Sequence, residues 1–129
     1  MKVLLDTHTV LWAMTQPALL SDSVRTVLLD DTTEVLVSSA VAWELSIKHH
    51  GGKLPEAGPL LADYPTVIAA LVADVLPISP GHAILAGGLQ WAHRDPFDRM
   101  LAAQSMTEGA ILISRDEAFD TLPGVRRFW

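Results

Sequence analysis

Cysteine is absent from this chain of 129 residues. Its absence excludes disulfide bonds, thiol catalysis and zinc sites with thiolate ligands. Long apolar runs are also missing: the run "VIAALVA" at residues 67–73 is far shorter than the ~18 residues of a membrane span. Near the N-terminus, Asp6 and His8 interrupt the apolar stretch, which argues against a signal peptide. We therefore expect a cytoplasmic protein without a membrane segment.

Basic residues are few, with nine Lys and Arg against fifteen Asp and Glu and a net charge of −6. This balance argues against a protein that binds nucleic acid through a broad basic surface. A site in which several carboxylates surround a cation would give the same acidic composition while being neutralised locally. The net charge therefore does not exclude a metal-dependent nuclease.

Half of the residues are hydrophobic, and the mean hydropathy is +0.30. A chain of this length suits one domain, residues 1–129, that buries roughly two thirds of its unfolded surface. Four short apolar runs are continuous rather than alternating, as in parallel strands that are covered on both faces. These predicted strands are residues 3–5, 35–37, 75–78 and 110–113. The closing "VRRFW" predicts an additional edge strand.

Helix signals lie between the predicted strands. Ser21 is the predicted N-cap of a helix to about Asp30, and Ser39 that of a helix to His50. Two more helices are predicted to begin near Pro59 and Pro80, and one near Pro96, with Asp95 as its N-cap and Gly109 as its end. Strands that alternate with helices predict an α/β three-layer sandwich with a central, mostly parallel sheet.

Four acidic residues follow the predicted strands or begin the helices after them. Asp6 directly follows the first strand, and Asp116 follows the "AILIS" strand. Glu44 lies about one turn into the helix after the second strand, and Asp98 lies in the first turn of the "DPFD" helix. Ligand sites of open parallel sheets form beyond the carboxyl ends of the strands. We therefore predict that these four carboxylates converge.

Each carboxylate also has a purely structural interpretation. Asp6 and Asp116 would cap helices, Glu44 would pair with Lys48 four residues on, and Asp98 would form a capping-box-like pair with Asp95. Taken singly, these interpretations are favoured. Four independent caps, however, would have no reason to collect at strand ends.

Clustered carboxylates repel one another unless a cation holds them. Mg²⁺ and Mn²⁺ are hard ions that prefer oxygen ligands, and they can activate water and stabilise charge on a phosphoryl group. Thr7 and Ser114 are candidate hydroxyls for supporting the ligands, with ordinary capping as the alternative. His8 and His93 border the predicted site, although surface positions are commoner for such residues.

Four stretches together resemble PIN-domain proteins, and more narrowly the toxin ribonucleases of the VapC type. They are "LLDTHTVLWA", "VSSAVAWELSIKHHGGKL", "HRDPFDRMLAAQSM" and "ILISRDEAF", in the order found in that family. "DPFDRMLAAQ" is a specific match, and only residues 55–77 carry little of the signature. The resemblance implies a single PIN-like domain.

This resemblance implies an endoribonuclease that depends on Mg²⁺, for which Mn²⁺ can substitute, and that a VapB-like antitoxin keeps silent. It places Asp6, Glu44 and Asp98 at the family's core acidic positions and Asp116 at a more variable fourth one. Thr7 matches the small hydroxyl residue that follows the first acid. A homodimer is also implied, because family members commonly pair.

Other classes fit the sequence less well. A phosphoacceptor receiver domain needs a lysine after a late strand, but lysine occurs only at positions 2, 48 and 53. A phosphatase of the haloacid dehalogenase type needs an aspartate where His8 stands, and the P-loop signature is absent. The remaining alternative is a non-catalytic module that binds a metal or a partner in the same pocket. Trp12 and Trp43 are expected in the core, with anchoring of a partner as the alternative.

Overall fold

The computed structural model describes residues 1–129, which form five strands and seven α-helices. The strands are β1 (Lys2–Leu5), β2 (Glu34–Ser38), β3 (Ala73–Leu76), β4 (Ile111–Ile113) and β5 (Arg127–Phe128). The helices are α1 (Thr7–Thr15), α2 (Asp22–Leu29), α3 (Ser39–His50), α4 (Gly58–Ala62), α5 (Tyr64–Ala70), α6 (Pro80–Gly88) and α7 (Pro96–Glu108). Short 3₁₀ helices occur at Pro17–Leu19, Pro55–Ala57 and Glu117–Thr121.

All five strands lie in one parallel sheet of order β3-β2-β1-β4-β5. Leu4 in the central strand β1 lies opposite Leu36 of β2 and Leu112 of β4. Val3, Leu4 and Leu5 are completely buried, as expected for a central strand that is covered on both faces. The predicted α/β architecture with a parallel central sheet is confirmed.

The connections between strands reverse direction at the centre of the sheet. From β1 the chain moves through β2 to β3 on one side, then crosses back to β4 and continues outwards to β5. Parallel crossovers are right-handed, so the helices of these two halves cover opposite faces and give the predicted three layers. The carboxyl ends of β1 and β4 therefore adjoin at the switch point, where such folds form their sites.

The cap of helix α3 was predicted one residue too late. Ser38, and not Ser39, is the N-cap, and its Oγ accepts a hydrogen bond from the amide of Ala40 at 3.0 Å. Ser38 still has the extended backbone of β2 (φ −68°, ψ 146°), which an N-cap requires, whereas Ser39 is already helical. The predicted caps Ser21 and Asp95 are confirmed.

Strand β3 differs from its prediction in position and burial. It covers Ala73–Leu76 rather than residues 75–78, because the chain turns at Val72 (φ 50°) and Pro77 lacks the amide that would continue the ladder. Asp74 and Val75 are exposed, since β3 is an edge strand that pairs only with β2. A short apolar run alone does not distinguish such an edge from a buried strand.

The C-terminal half otherwise follows the sequence closely. Helix α7 ends at Glu108, and Gly109 closes it in the left-handed conformation (φ 63°) that glycine adopts without strain. Strand β4 begins at Ile111, one residue later than predicted. The predicted C-terminal edge strand is confirmed as β5. None of the helices combines the length and the apolar character that crossing a membrane requires.

Candidate functional site

A pocket of about 280 Å³ lies beyond the carboxyl ends of β1 and β4, and no hydrophobic residue lines it. It contains all four carboxylates whose convergence was predicted. The lining residues are Asp6, Thr7, His8, Glu44, Lys48, His93, Asp95, Asp98 and Asp116. The convergence follows from the parallel sheet, which delivers residues distant in sequence to one edge.

Asp6 stands between β1 and α1, and it is both a helix cap and part of the pocket. The Thr9 amide and hydroxyl donate to its Oδ1 at 2.7 and 2.6 Å, so the capping interpretation is correct. Its side chain is almost completely enclosed, with 8% of the residue exposed. Burial raises the pKa of Asp6, and the hydroxyls of Ser114 and Thr9 act against this increase.

Glu44 lies in α3 with 4% of its surface exposed. The hydroxyl of Thr7 donates to its Oε1 at 2.5 Å, and the Lys48 ammonium forms an ion pair with its Oε2. Partial burial lowers the pKa of Lys48, but the bond to Glu44 and the nearby carboxylates outweigh this and raise it overall. Thr7 therefore supports a pocket carboxylate, as predicted, and the predicted pair of Glu44 with Lys48 also forms.

Asp95 and Asp98 begin helix α7 and have different surroundings. Asp95 Oδ1 accepts from the amides of Phe97 and Asp98 at 2.8 and 3.0 Å, which is the predicted N-cap. Asp98 Oδ2 lies 2.6 Å from Nε2 of His93. Burial raises the pKa of Asp98 to about 6; His93 opposes the increase, and the charges of Asp95 and Glu44 add to it.

Asp116 occupies the exposed margin of the pocket. Its Oδ1 accepts from the amide of Ala118 at 2.9 Å, so it also caps the last 3₁₀ helix. The Asp116 amide donates to the Oγ of the buried Ser114 at 3.0 Å. Ser114 thus connects the loop of Asp116 to the end of β4, next to Asp6.

Several contacts of the site were not predicted from the sequence. Thr9 binds Asp6, and the signal was its position three residues after a helix cap. His93 was named as a residue that borders the site, with a surface position as the commoner alternative; it lines the pocket, and its contact with Asp98 was not predicted. The Arg99 guanidinium donates to four carbonyls, those of Ala86, Leu89, Trp91 and His93, at 2.7–3.1 Å. No local pattern indicates this last arrangement, because its acceptors are backbone carbonyls of the last turn of α6 and of the segment that follows it.

The expectation that Trp43 lies in the core is wrong. Trp43 is 57% exposed and packs edge-on against Phe97, with ring centroids 5.0 Å apart. The helical turn that buries Glu44 directs the preceding residue outwards. Trp12 is partly buried against the core, as expected, and its ring lies 5.9 Å from that of Trp129.

The pocket supplies the oxygen donors that a hard divalent cation prefers, but these donors are not already arranged as a set of ligands. No three Asp, Glu or His side chains already converge as ligands of one ion. The carboxylates are instead held by Thr9, Lys48 and His93. Oxygen donors are nevertheless the ligands that Mg²⁺ and Mn²⁺ prefer. The raised pKa values of Asp6 and Asp98 reveal a cost of ionisation that a cation would relieve.

The fold and site define a class: a parallel α/β protein with an acidic pocket at the switch point of its sheet. Within that class, the chain belongs to the PIN domain family, whose model matches residues 3–125. The resemblance noted from the four sequence stretches is thereby confirmed. No curated protein sequence matches the chain significantly.

Solved structures of VapBC complexes share this fold. VapBC2 from Rickettsia felis, bound to a DNA fragment from its promoter, gives a TM-score of 0.73 at 17% identity, covering 99% of this chain and 98% of the other. DNA-bound VapBC from Salmonella typhimurium gives 0.71 at 18% identity, covering 99% and 97%. VapBC-1 from nontypeable Haemophilus influenzae gives 0.63 at 17% identity, with the same coverage of 99% and 97%. At identities of 17–18%, this similarity shows that the chain shares the fold of these proteins.

Proposed function

We propose that this protein is a metal-dependent endoribonuclease and the toxin of a toxin–antitoxin pair. The observation that carries this proposal is the collection of Asp6, Glu44, Asp98 and Asp116 in one pocket of a PIN-domain chain. Four helix caps or ion pairs would account for the residues singly but not for their common location. The resemblance to VapC-type proteins supplies RNA as the substrate.

Asp6, Glu44 and Asp98 are the proposed ligands of Mg²⁺, or of Mn²⁺ in its place, with Asp116 as a fourth acidic group at the margin. The bound cation would activate a water molecule and stabilise charge on the phosphoryl group. Thr7 and Thr9 hold Glu44 and Asp6 in fixed orientations. Such hydroxyls restrict the movement of carboxylates and so help to preorganise a site.

Groups beside the pocket suit a flanking nucleotide. Asp6 and Asp116 also line an adjoining depression together with His8, Trp12 and Arg115. The Arg115 guanidinium carbon lies 6.0 Å from the centre of the Trp12 ring. A cation beside an aromatic face combines attraction for phosphate with a surface on which a base can stack. Arg115 therefore offers one cationic contact for a phosphate in a protein whose net charge is −6.

RNA cleavage by matched variants tests the activity. Asp98→Asn should lower the cleavage rate about a hundredfold or more, because one charged ligand is lost while the fold is retained. Asp95→Asn is the control, since asparagine caps helices about as well as aspartate, and it should keep most of the activity. Cleavage by Asp98→Asn at the normal rate would contradict the assignment, as would cleavage that persists in EDTA.

We also propose a VapB-like antitoxin that covers the acidic pocket with an arginine or lysine. The similar solved structures are VapBC complexes, which supports a partner of this kind. A guanidinium matches carboxylates through two parallel hydrogen bonds and would compete for the metal ligands. Co-expression with the gene immediately upstream, followed by co-purification, tests the pairing. Binding that is unchanged when Asp6 and Glu44 are both neutralised would refute the electrostatic contribution.

A homodimer is part of the same proposal, because PIN-domain toxins commonly pair. Exposed apolar side chains such as Trp43, Ile47 and Ile84 are compatible with a protein contact. Light scattering after size-exclusion chromatography measures the mass directly. A purely monomeric protein across the micromolar range would contradict the dimer without affecting the proposed activity.

A non-catalytic metal- or partner-binding module is the second candidate. The ion pair of Lys48 with Glu44 and the lack of three preformed ligands favour the partner-binding form of this candidate, because neither feature prepares the pocket for a metal. Metal-dependent RNA cleavage that disappears in Asp6→Asn separates the two. A folded protein that binds metal and partner but never cleaves RNA would establish the module.

A further inference from the structure

Lys48 places a positive charge inside the acidic pocket. It is the only Lys or Arg among the nine lining residues, and its side chain is 29% exposed. Its ammonium contacts Oε2 of Glu44, whose other oxygen accepts from Thr7 at 2.5 Å. Both oxygens of the Glu44 carboxylate therefore have a protein partner.

This pair differs from an ordinary surface pair of residues at positions i and i+4. Pairs between exposed charges contribute little, because water solvates both partners. Glu44 is almost completely buried, and a buried carboxylate without a partner is costly. The field of Asp95 and Asp98 also acts on Lys48, so the ammonium balances a cluster rather than one group.

We propose that Lys48 is a built-in counter-ion that neutralises Glu44 while no metal is bound and is displaced when a divalent cation binds. This inference rests on the proposed metal site. A cation that takes Oε2 of Glu44 must replace the ammonium there, and two positive charges at such short range repel each other. Lys48 therefore stabilises the metal-free protein more than the metal-bound one. By linkage, it lowers the affinity of the site for metal.

Calorimetric titration of the purified full chain with Mn²⁺ tests this role. Lys48→Met and Lys48→Gln should bind Mn²⁺ roughly three- to tenfold more tightly than the unaltered protein, because the competing charge is gone. Lys48→Arg retains the charge and should restore an affinity close to the original. Lys53→Met is the matched control, since Lys53 is an exposed lysine outside the pocket, and its affinity should not change.

Thermal unfolding gives an independent readout. Without metal, Lys48→Met should melt at a lower temperature than the unaltered protein, because the buried Glu44 loses its charged partner. At saturating Mn²⁺ this difference should shrink, since the metal takes over the neutralising role. A simple structural contribution from Lys48 would lower the melting temperature equally in both conditions.

The outcomes separate this inference from the proposed function. If Lys48→Met binds Mn²⁺ with unchanged or weaker affinity, the counter-ion role is wrong and the metal site stands. If the folded, unaltered protein binds no Mn²⁺ at all, the metal site itself is wrong and the inference falls with it.

Discussion

Asp6 shows that a helix cap and a site residue are compatible in one side chain. Thr9 donates to Oδ1 through both its amide and its hydroxyl, so the capping contacts use one oxygen of the carboxylate. The cap fixes the side chain where β1 meets α1, and that position is the edge of the pocket. Asp95 and Asp116 cap helices at the same pocket. Capping here orients acidic groups rather than competing with a functional role.

We expect Asp98 to make the stability of the metal-free protein depend on pH. Burial raises its folded-state pKa to about 6 from an ordinary value of 3.8, so the folded protein binds a proton more tightly than the unfolded chain. The resulting stabilisation is complete below the unfolded pKa and is lost as pH rises through about 6. In EDTA, we expect the melting temperature to fall between pH 5 and pH 7. Asp98→Asn, which cannot ionise, should show a smaller decrease.

Thermal melts across this pH range check the expectation. Asp74→Asn is a suitable control, because Asp74 is exposed on the edge strand β3 and lies outside the pocket. Equal slopes for the unaltered protein and Asp98→Asn would exclude Asp98 as the source of the pH dependence.

Helix α7 organises the segment between itself and α6. Arg99, one turn into α7, holds carbonyls of Ala86, Leu89, Trp91 and His93. This segment carries His93 and leads into Asp95, both of which line the pocket. The conformation of this segment therefore depends on the several hydrogen bonds donated by Arg99, because the segment has no regular secondary structure.

Replacing Arg99 should loosen this segment. In Arg99→Lys, one ammonium cannot satisfy four carbonyls that a planar guanidinium reaches together. We expect a loss of about 2–3 kcal/mol in the free energy of unfolding, since several hydrogen bonds to a charged group disappear. Chemical denaturation measures this change, and amide exchange at residues 89–95 should become faster. Arg94→Lys, at an exposed position of the same segment, should leave both quantities nearly unchanged.

At the scale of the whole molecule, the strand order determines the site. The reversal between β1 and β4 brings Asp6 and Asp116 together although 110 positions separate them along the chain. Helices α3 and α7 then contribute Glu44 and Asp98 from opposite halves of the fold. The acidic pocket is therefore a property of the complete sheet, and no half of the chain contains it.

Metal binding should consequently stabilise the whole fold. A cation that binds only the folded state contributes about 2.7 kcal/mol at a free concentration of a hundred times the Kd. In a domain of this size, that corresponds to a rise of roughly 10 °C in melting temperature. Mg²⁺ or Mn²⁺ should produce such a rise, EDTA should reverse it, and Asp98→Asn should reduce it. A melting curve that neither metal changes would argue strongly against a shared metal site.

Local patterns in the sequence were sufficient for most of the fold. Apolar runs predicted the strands β1, β2 and β4, and capping residues predicted helix α7 with its cap Asp95. These signals are readable in the sequence because they act between near neighbours. The position of the four carboxylates after strands or at helix starts follows from the same signals. Together with the parallel topology, this predicted their convergence.

Contacts between distant parts of the chain were decided only by the tertiary structure. The exposure of β3 depends on which strand lies beside it, and that of Trp43 on what packs against α3. Side-chain directions decide that Thr7 contacts Glu44 and that His93 contacts Asp98. The course of the segment before α7 decides which carbonyls Arg99 reaches. Such contacts leave no periodic trace in the sequence, because their geometry exists only once the sheet and helices have assembled.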